Sequence, residues 1–275
     1  MAVLLSLTAA LGYGASDFLA GVAGRRGAAA SVALLESPCG LLAALLGLWL
    51  IPWSSPSGAS LAWGALSGVG SGLGILALYR GLAVGRMTVV APVAGILTAL
   101  IPALVGLALG NRPGWVALAG MAIALPAVAL VSRHPSDGSQ RHRGVPEAVI
   151  AGVCFALLFI ALDRAGTRAG TWPLVPGQVV AMLLIGAAAI RGRAVRMEWR
   201  RLAPLAVGAG VLGGTGNILF LSATGQGELA VVAVISSLYP AVTVLLAWVG
   251  LRERIAPIQL VGLAVAVLAV VLISL

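Results

Sequence analysis

Two carboxylates, Asp17 and Glu36, stand inside hydrophobic stretches of this chain. An aspartate at the centre of a bilayer costs about 2.5–3.5 kcal/mol by insertion scales, so acids in such stretches are functional candidates. Asp17 lies about one helical turn from the end of the first stretch, and Glu36 roughly 9 Å into the second at the rise of an α-helix. The hairpin between those stretches brings the acids to similar depth, with Arg80 closing the third stretch on the same side. Two partly desolvated carboxylates close together suit proton uptake and release. The alternative is an interfacial acid–arginine cluster that fixes helix ends or sets topology. Gln178 occupies the position that corresponds to Glu36 in the repeat described below. The two are either a symmetric pair near two gates or polar residues tolerated near interfaces. Asp17, Glu36, Gln178 and Arg80 are thus the coupling or gating candidates.

A cavity for a small solute would be lined by small, hydroxylic and aromatic residues. Tyr13, Ser16, Ser67, Ser71, Tyr79, Asn217, Ser236 and Tyr239 are the expected substrate contacts, with Trp63 and Ser237 beside them. Asn217 is the most informative, because an amide in an apolar helix must find a partner or a substrate. Serines in such helices more commonly bond back to their own backbone. Trp63 and Tyr79 also fit the role of interface anchors near helix ends. Pro92, Pro102 and Pro240 each remove a backbone donor and can kink the helix that carries them.

Enzyme chemistry finds no support. Gly208, Gly210 and Gly213 fit G-x-G-x-x-G, but a dinucleotide site needs a strand before the glycines and a helix after them. Here they sit within a hydrophobic stretch, where close helix packing is the better account. The chain has no lysine, which excludes a P-loop lysine. Cys39 and Cys154 are isolated in apolar stretches, and His134 and His142 share an arginine-rich segment without further metal ligands. No catalytic residue, cofactor or metal is expected.

The elements that must position these residues follow from composition. Hydrophobic residues make up 60% of the chain and charged residues 9%, against about a quarter charged in soluble domains. Crossing a hydrocarbon core takes roughly 20 apolar residues. Ten stretches come close: 2–20, 30–51, 60–80, 86–109, 114–132, 147–163, 172–190, 202–222, 228–250 and 256–274. Barrel strands would alternate over about ten residues, and no alternation is present. The fold class is therefore all-α, a polytopic membrane protein of ten transmembrane helices in contact with the lipid bilayer. The first stretch starts at Ala2 without a basic leader or cleavage site, so it reads as a retained helix.

The net charge of +9 does not point to nucleic acid, because of where the charge lies. All 17 basic residues are arginines, and 14 fall in the odd-numbered loops, leaving Arg112, Arg164 and Arg168 in the others. The positive-inside rule puts the odd loops in the cytoplasm and both termini outside. An inner, cytoplasmic membrane is the expected location.

A single offset of 142 residues aligns the two halves. Val89–Ala91 falls on Val231–Ala233, Gly68, Gly72 and Gly74 fall on Gly210, Gly214 and Gly216, and Arg112 and Gly120 fall on Arg254 and Gly262. The offset spans five helices, an odd number, so the halves must cross with opposite orientation. The expected division is a first five-helix repeat at 1–132, a cytoplasmic linker at 133–146 and a second repeat at 147–275. Inverted repeats are the architecture of many secondary transporters, with the site at the midplane between halves.

The stretch Gly227–Leu275 resembles the final two helices of EamA-type members of the drug/metabolite transporter superfamily. The likeness is carried by Ser236-Ser237-Leu238-Tyr239-Pro240, Glu253, Gln259 and Gly262; Tyr79–Gly120 gives a weaker version and Gly12–Gly21 resembles the first helix. Asn111 stands where Glu253 has its counterpart, so a role needing that acid in both halves is not implied. The resemblance implies a transporter, not an enzyme. Together with the repeat, it predicts export of a small organic metabolite, amino-acid-like or drug-like, with protons as the possible coupling ion. Alternatives are a flippase-like protein for lipids or amphiphiles, or a non-transporting membrane partner.

Overall fold

The computed structural model describes residues 1–24, 27, 29–50, 55–84, 87–131, 144–191, 199–251 and 257–274. Among these residues every regular element is a helix. The first half contains α1 (Ala2–Gly24), α2 (Ala29–Leu50), α3 (Gly58–Val84), α4 (Met87–Ala108) and α5 (Trp115–Val131). The second contains α6 (Val145–Ala165), α7 (Leu174–Arg191), α8 (Trp199–Thr224), α9 (Leu229–Ser236), α10 (Tyr239–Leu251) and α11 (Pro257–Ser274). The segment 132–143 with His134 and His142, Glu253, and most of the loop arginines lie outside the described residues.

The helices follow the hydrophobic stretches, because in lipid a helix satisfies its own backbone polar groups. Their outer surfaces are apolar, with Leu4, Leu11, Leu46, Leu183, Val249 and Val267 all exposed. In water such a belt would drive aggregation; against acyl chains it is the matching surface. Among the described residues, seven spans have the length and hydropathy to cross a membrane, and three shorter apolar helices accompany them. The chain is a multi-pass membrane protein.

The ninth stretch differs from expectation. Instead of one helix kinked at Pro240, it forms two, α9 and α10, separated at Ser237–Leu238. Pro240 has no N–H for the carbonyl of Ser236, one turn earlier, and its ring crowds that carbonyl. The chain tightens there, with Leu238 N donating to Ile235 O at 3.1 Å, a three-residue spacing. By contrast α4, which carries Pro92 and Pro102, is continuous across both.

The packing partners come in matched sets. α1 packs on α8 and α6 on α3; α2 also packs on α8, and α7 on α3. α4 lies against α6, while α9 and α10 lie against α1. α2 meets α7, and α5 meets α11. Glycines allow the closest of these approaches. A Cβ on Gly68 of α3 would collide with the Gly177 carbonyl of α7, and one on Gly210 of α8 with the Glu36 carbonyl of α2. Gly74 faces the ring of Phe155, and Gly216 faces the ring of Tyr13.

The start of α9 is held from the first half. Asn111 Oδ1 accepts from Ala230 N at 3.3 Å, and Glu228 Oε1 accepts from Arg112 N at 3.1 Å. Asn111 thus caps an α9 backbone donor that its own helix leaves open. Asn111→Ala is expected to cost about 1 kcal/mol, in the range of lost caps. Thermal unfolding of the purified variant would measure it, and an unchanged midpoint would mean that the clamp carries no net stability.

Candidate functional site

The central cavity is built where α1, α2, α3, α4, α6, α7, α8 and α10 converge. It holds about 780 Å³ of space free of protein atoms, including open solvent at its mouth. α1 contributes Tyr13, Ser16 and Asp17; α2 contributes Glu36, Ser37 and Gly40; α3 contributes Ser71, Ile75 and Tyr79. From the second half come Phe155, Leu158 and Phe159 of α6, Gln178 of α7, Gly213 and Asn217 of α8, and Tyr239 of α10.

Each polar side chain has a traceable setting. Tyr79 Oη donates to Glu36 Oε2 at 2.5 Å, which ties α3 to α2 beside the cavity. Glu36 is buried, and Asp17 is close enough to interact with it electrostatically. Tyr13 Oη donates to Asn217 Oδ1 at 2.8 Å, joining α1 to α8. Ser16 Oγ also reaches α8, donating to Ala209 O at 2.8 Å. Gln178 lies over Gly40, where a Cβ would stand 2.7 Å from Oε1. Tyr239 Oη is buried next to Thr98 but makes no hydrogen bond of normal geometry with any described residue.

Six of the eight expected substrate contacts, all except Ser67 and Ser236, line this cavity. Ser67 instead donates to its own helix, to Gly64 O at 2.7 Å. Ser236 is fully buried outside the lining, its Oγ without a partner among the described residues. Ser237 bonds back to Ala233 O, and Trp63 lies outside the lining, partly exposed. Of the coupling or gating candidates, Asp17, Glu36 and Gln178 line the cavity. Arg80 does not. Its side chain is 75% exposed and its Nε sits 3.6 Å from Glu147 Oε1. Without Arg80, no basic side chain is found among the described lining residues.

Sequence reasoning missed the aromatic wall. Phe155 and Phe159 are unremarkable members of an apolar helix, yet both face the cavity. The sequence offset of 142 held a signal, since it carries Tyr13 onto Phe155 and Asp17 onto Phe159. Ser37 and Thr98 were also missed. Each donates to the carbonyl four residues earlier while lining the cavity.

One end of the cavity is sealed. Phe159 stacks on Phe220 with ring centroids 4.0 Å apart, and Tyr13 leans on Phe159 at 5.9 Å. Leu162, Leu221 and Val232 join them in one buried cluster. Past this layer lies a second concavity, lined by Ser57, Ser60, Asp163, Thr167, Arg168 and Thr224. The central cavity extends the other way, toward Tyr79 and Ile185, near the end of the bundle where α3 finishes and α8 begins.

The Tyr13–Asn217 bond carries a measurable consequence. Tyr13→Phe leaves the Asn217 carbonyl without its donor and is expected to cost about 1–3 kcal/mol, the desolvation cost of an unsatisfied buried acceptor. A lower thermal midpoint for the variant would bear this out. An unchanged one would mean that solvent in the cavity replaces the phenol.

A sequence model described as the EamA-like transporter family matches residues 142–275. No curated protein matches the chain. One solved crystal structure is similar with a TM-score of 0.75 and 20% identity, over 98% of this chain and 95% of its own. At that identity the likeness is one of fold.

Proposed function

Through residues 142–275 the chain belongs to the EamA-like transporter family of the drug/metabolite transporter superfamily, and on that footing we propose that it exports a small organic metabolite by alternating access. The observation that carries the reading is the central cavity, a largely apolar wall set with a few polar side chains and closed at one end by packed aromatics. A transporter needs a site reachable from one side at a time, and a sealed cavity below a second concavity is that arrangement in one of its states.

The mechanism follows from two inverted five-helix halves, residues 1–132 and 147–275, joined by a linker at 133–146, giving ten crossings if α9 and α10 count as one. The matched packing of α1 on α8 with α6 on α3 supports this reading. So does the equivalence of Gly74–Phe155 with Gly216–Tyr13, related by the same offset of 142. Rocking one half against the other would open the sealed end and close the present mouth. The break between α9 and α10 gives the second half a joint near Tyr239. The arginine distribution supports a cytoplasmic-membrane location with both termini outside, which puts the aromatic seal toward the exterior and the present mouth toward the cytoplasm.

Asp17 and Glu36 are the coupling residues in this reading. Negative charge withdrawn from water must be balanced by a proton or a cationic ligand, and Arg80 is committed elsewhere. Reconstituted into proteoliposomes with a pH gradient, the native protein is expected to drive solute flux that follows the gradient. Asp17→Asn and Glu36→Gln should each reduce that flux by about tenfold or more, equivalent to roughly 1.4 kcal/mol, and remove its dependence on pH. Flux with an unaltered pH profile in both variants would exclude coupling through these acids.

A further inference from the structure

The charge inventory of the cavity bears on what can enter it, and the inference rests on the transporter reading above. The described lining residues include two carboxylates, Asp17 and Glu36, and no arginine, lysine or histidine. The other titratable side chains beside them are phenols and a thiol, which ordinarily carry no charge at neutral pH: Tyr13 on α1, Tyr79 on α3 and Tyr239 on α10 in the lining, and Cys39 on α2 next to Glu36. α6, α7 and α8 face the acids with apolar residues, Gln178, Asn217 and glycines. A substrate carboxylate or phosphate would therefore meet two acids and no counter-charge. The helix N-terminus that reaches the lining, that of α10 at Tyr239, has Pro240 in its first turn and so lacks one of the donors that make such an end an anion site.

Two further features point to a ligand. Tyr239 is 5% exposed and lines the cavity, and its Oη, beside Thr98, makes no hydrogen bond of normal geometry with a described residue. A buried hydroxyl without a regular bond is unusual, and a ligand in the cavity can supply the partner. The wall beside Tyr239 is aromatic, with Tyr13 edge-on to it at 6.5 Å between ring centroids and Phe155 and Phe159 adjoining. Aromatic faces attract organic cations, most strongly where water is excluded.

We propose that the transported solute is an organic monocation with an apolar or aromatic body, an amine or quaternary ammonium, held by Asp17 and Glu36 with Tyr239 and the aromatic wall. A zwitterionic amino acid is disfavoured because nothing in the described lining receives its carboxylate. Protons compete with the cation for the same acids, so acidification weakens binding.

The test uses the purified full chain in nanodiscs and three radiolabelled probes of similar body: phenyltrimethylammonium, phenylalanine and benzenesulfonate. Equilibrium dialysis is expected to give saturable binding of phenyltrimethylammonium alone, weaker at low pH. Asp17→Asn and Glu36→Gln should each weaken it by about tenfold or more, which corresponds to roughly 1.4 kcal/mol. Tyr239→Phe, which removes only the unpaired hydroxyl, tests the site without disturbing charge and should change affinity several-fold while thermal unfolding stays the same. Equal binding of phenylalanine or benzenesulfonate, or cation binding indifferent to all three substitutions, overturns the proposal. Proteoliposome flux of the same probes separates it from the transporter reading. Movement of phenylalanine or benzenesulfonate in place of the cation sinks the charge preference and keeps transport. Cation binding without flux of any probe keeps the site and sinks transport.

Discussion

Gly210→Val will lower the thermal midpoint of the purified protein by about 5–10 °C, while Gly186→Ala will leave it unchanged. The first substitution puts carbon where the Glu36 carbonyl and the Cys39 side chain already stand, the latter 2.7 Å from an added Cβ. Backbone cannot step aside as a flexible side chain can, so α8 and α2 must separate. Overpacking of this kind costs typically 1–3 kcal/mol and sometimes more, at about 2–4 °C per kcal/mol for a chain of this size. Gly186 on α7 has nothing within 4 Å of an added Cβ, and alanine favours helix over glycine. The two outcomes must differ in sign or size for the packing account to stand. A Gly210→Val protein as stable as the native one would mean that the α8–α2 approach is not rigid. The same substitution moves Glu36, so surviving protein should also lose pH-dependent flux.

Opening the aromatic seal should have an effect as large on accessibility. Phe220 is fully buried and Phe159 nearly so, stacked on one another between the central cavity and the second concavity. Truncating a buried phenylalanine costs about 3–5 kcal/mol and leaves a void; here the void would connect two existing cavities. A cysteine placed at Ser71, in the cavity lining, reports the connection once Cys39 and Cys154 are replaced by alanine. In Phe159→Ala, Phe220→Ala protein, an impermeant maleimide added at the face of Asp163 and Thr167 should label that cysteine at least about tenfold faster. If labelling from that face does not rise in folded protein, the barrier lies elsewhere in the buried cluster. Faster labelling with lost solute gradients would identify this layer as the gate that keeps alternating access from becoming a leak.

Several features were legible in the sequence because they depend on local chemistry alone. Long apolar stretches can satisfy their backbone only as helices in lipid, and the described helices follow those stretches within a few residues. The likeness of Gly227–Leu275 to EamA-type transporters agrees with the family match over residues 142–275. Asp17 and Glu36 stood out because acids are rare in such stretches, and both line the cavity.

Tertiary structure decided which polar residues share a space. The helices are apolar nearly all round, as membrane spans are, so no polar stripe in the sequence reveals which face turns inward. Ser67 and Ser71 lie one turn apart on α3, yet Ser67 bonds its own backbone and Ser71 lines the cavity. Arg80 follows Tyr79 directly, but a rotation of 100° per residue sends one to Glu147 at the surface and the other to Glu36 in the interior. Phe155 and Phe159 acquired their role only when α6 packed against α3, which sets Phe155 over Gly74 and brings Phe159 to the rings of Tyr13 and Phe220. The division of α9 from α10 was decided locally, by Pro240, but its position beside Asp17 was not. Local chemistry determined what this chain is made of and where it must live; the meeting of distant helices, which no short segment encodes, determined the cavity.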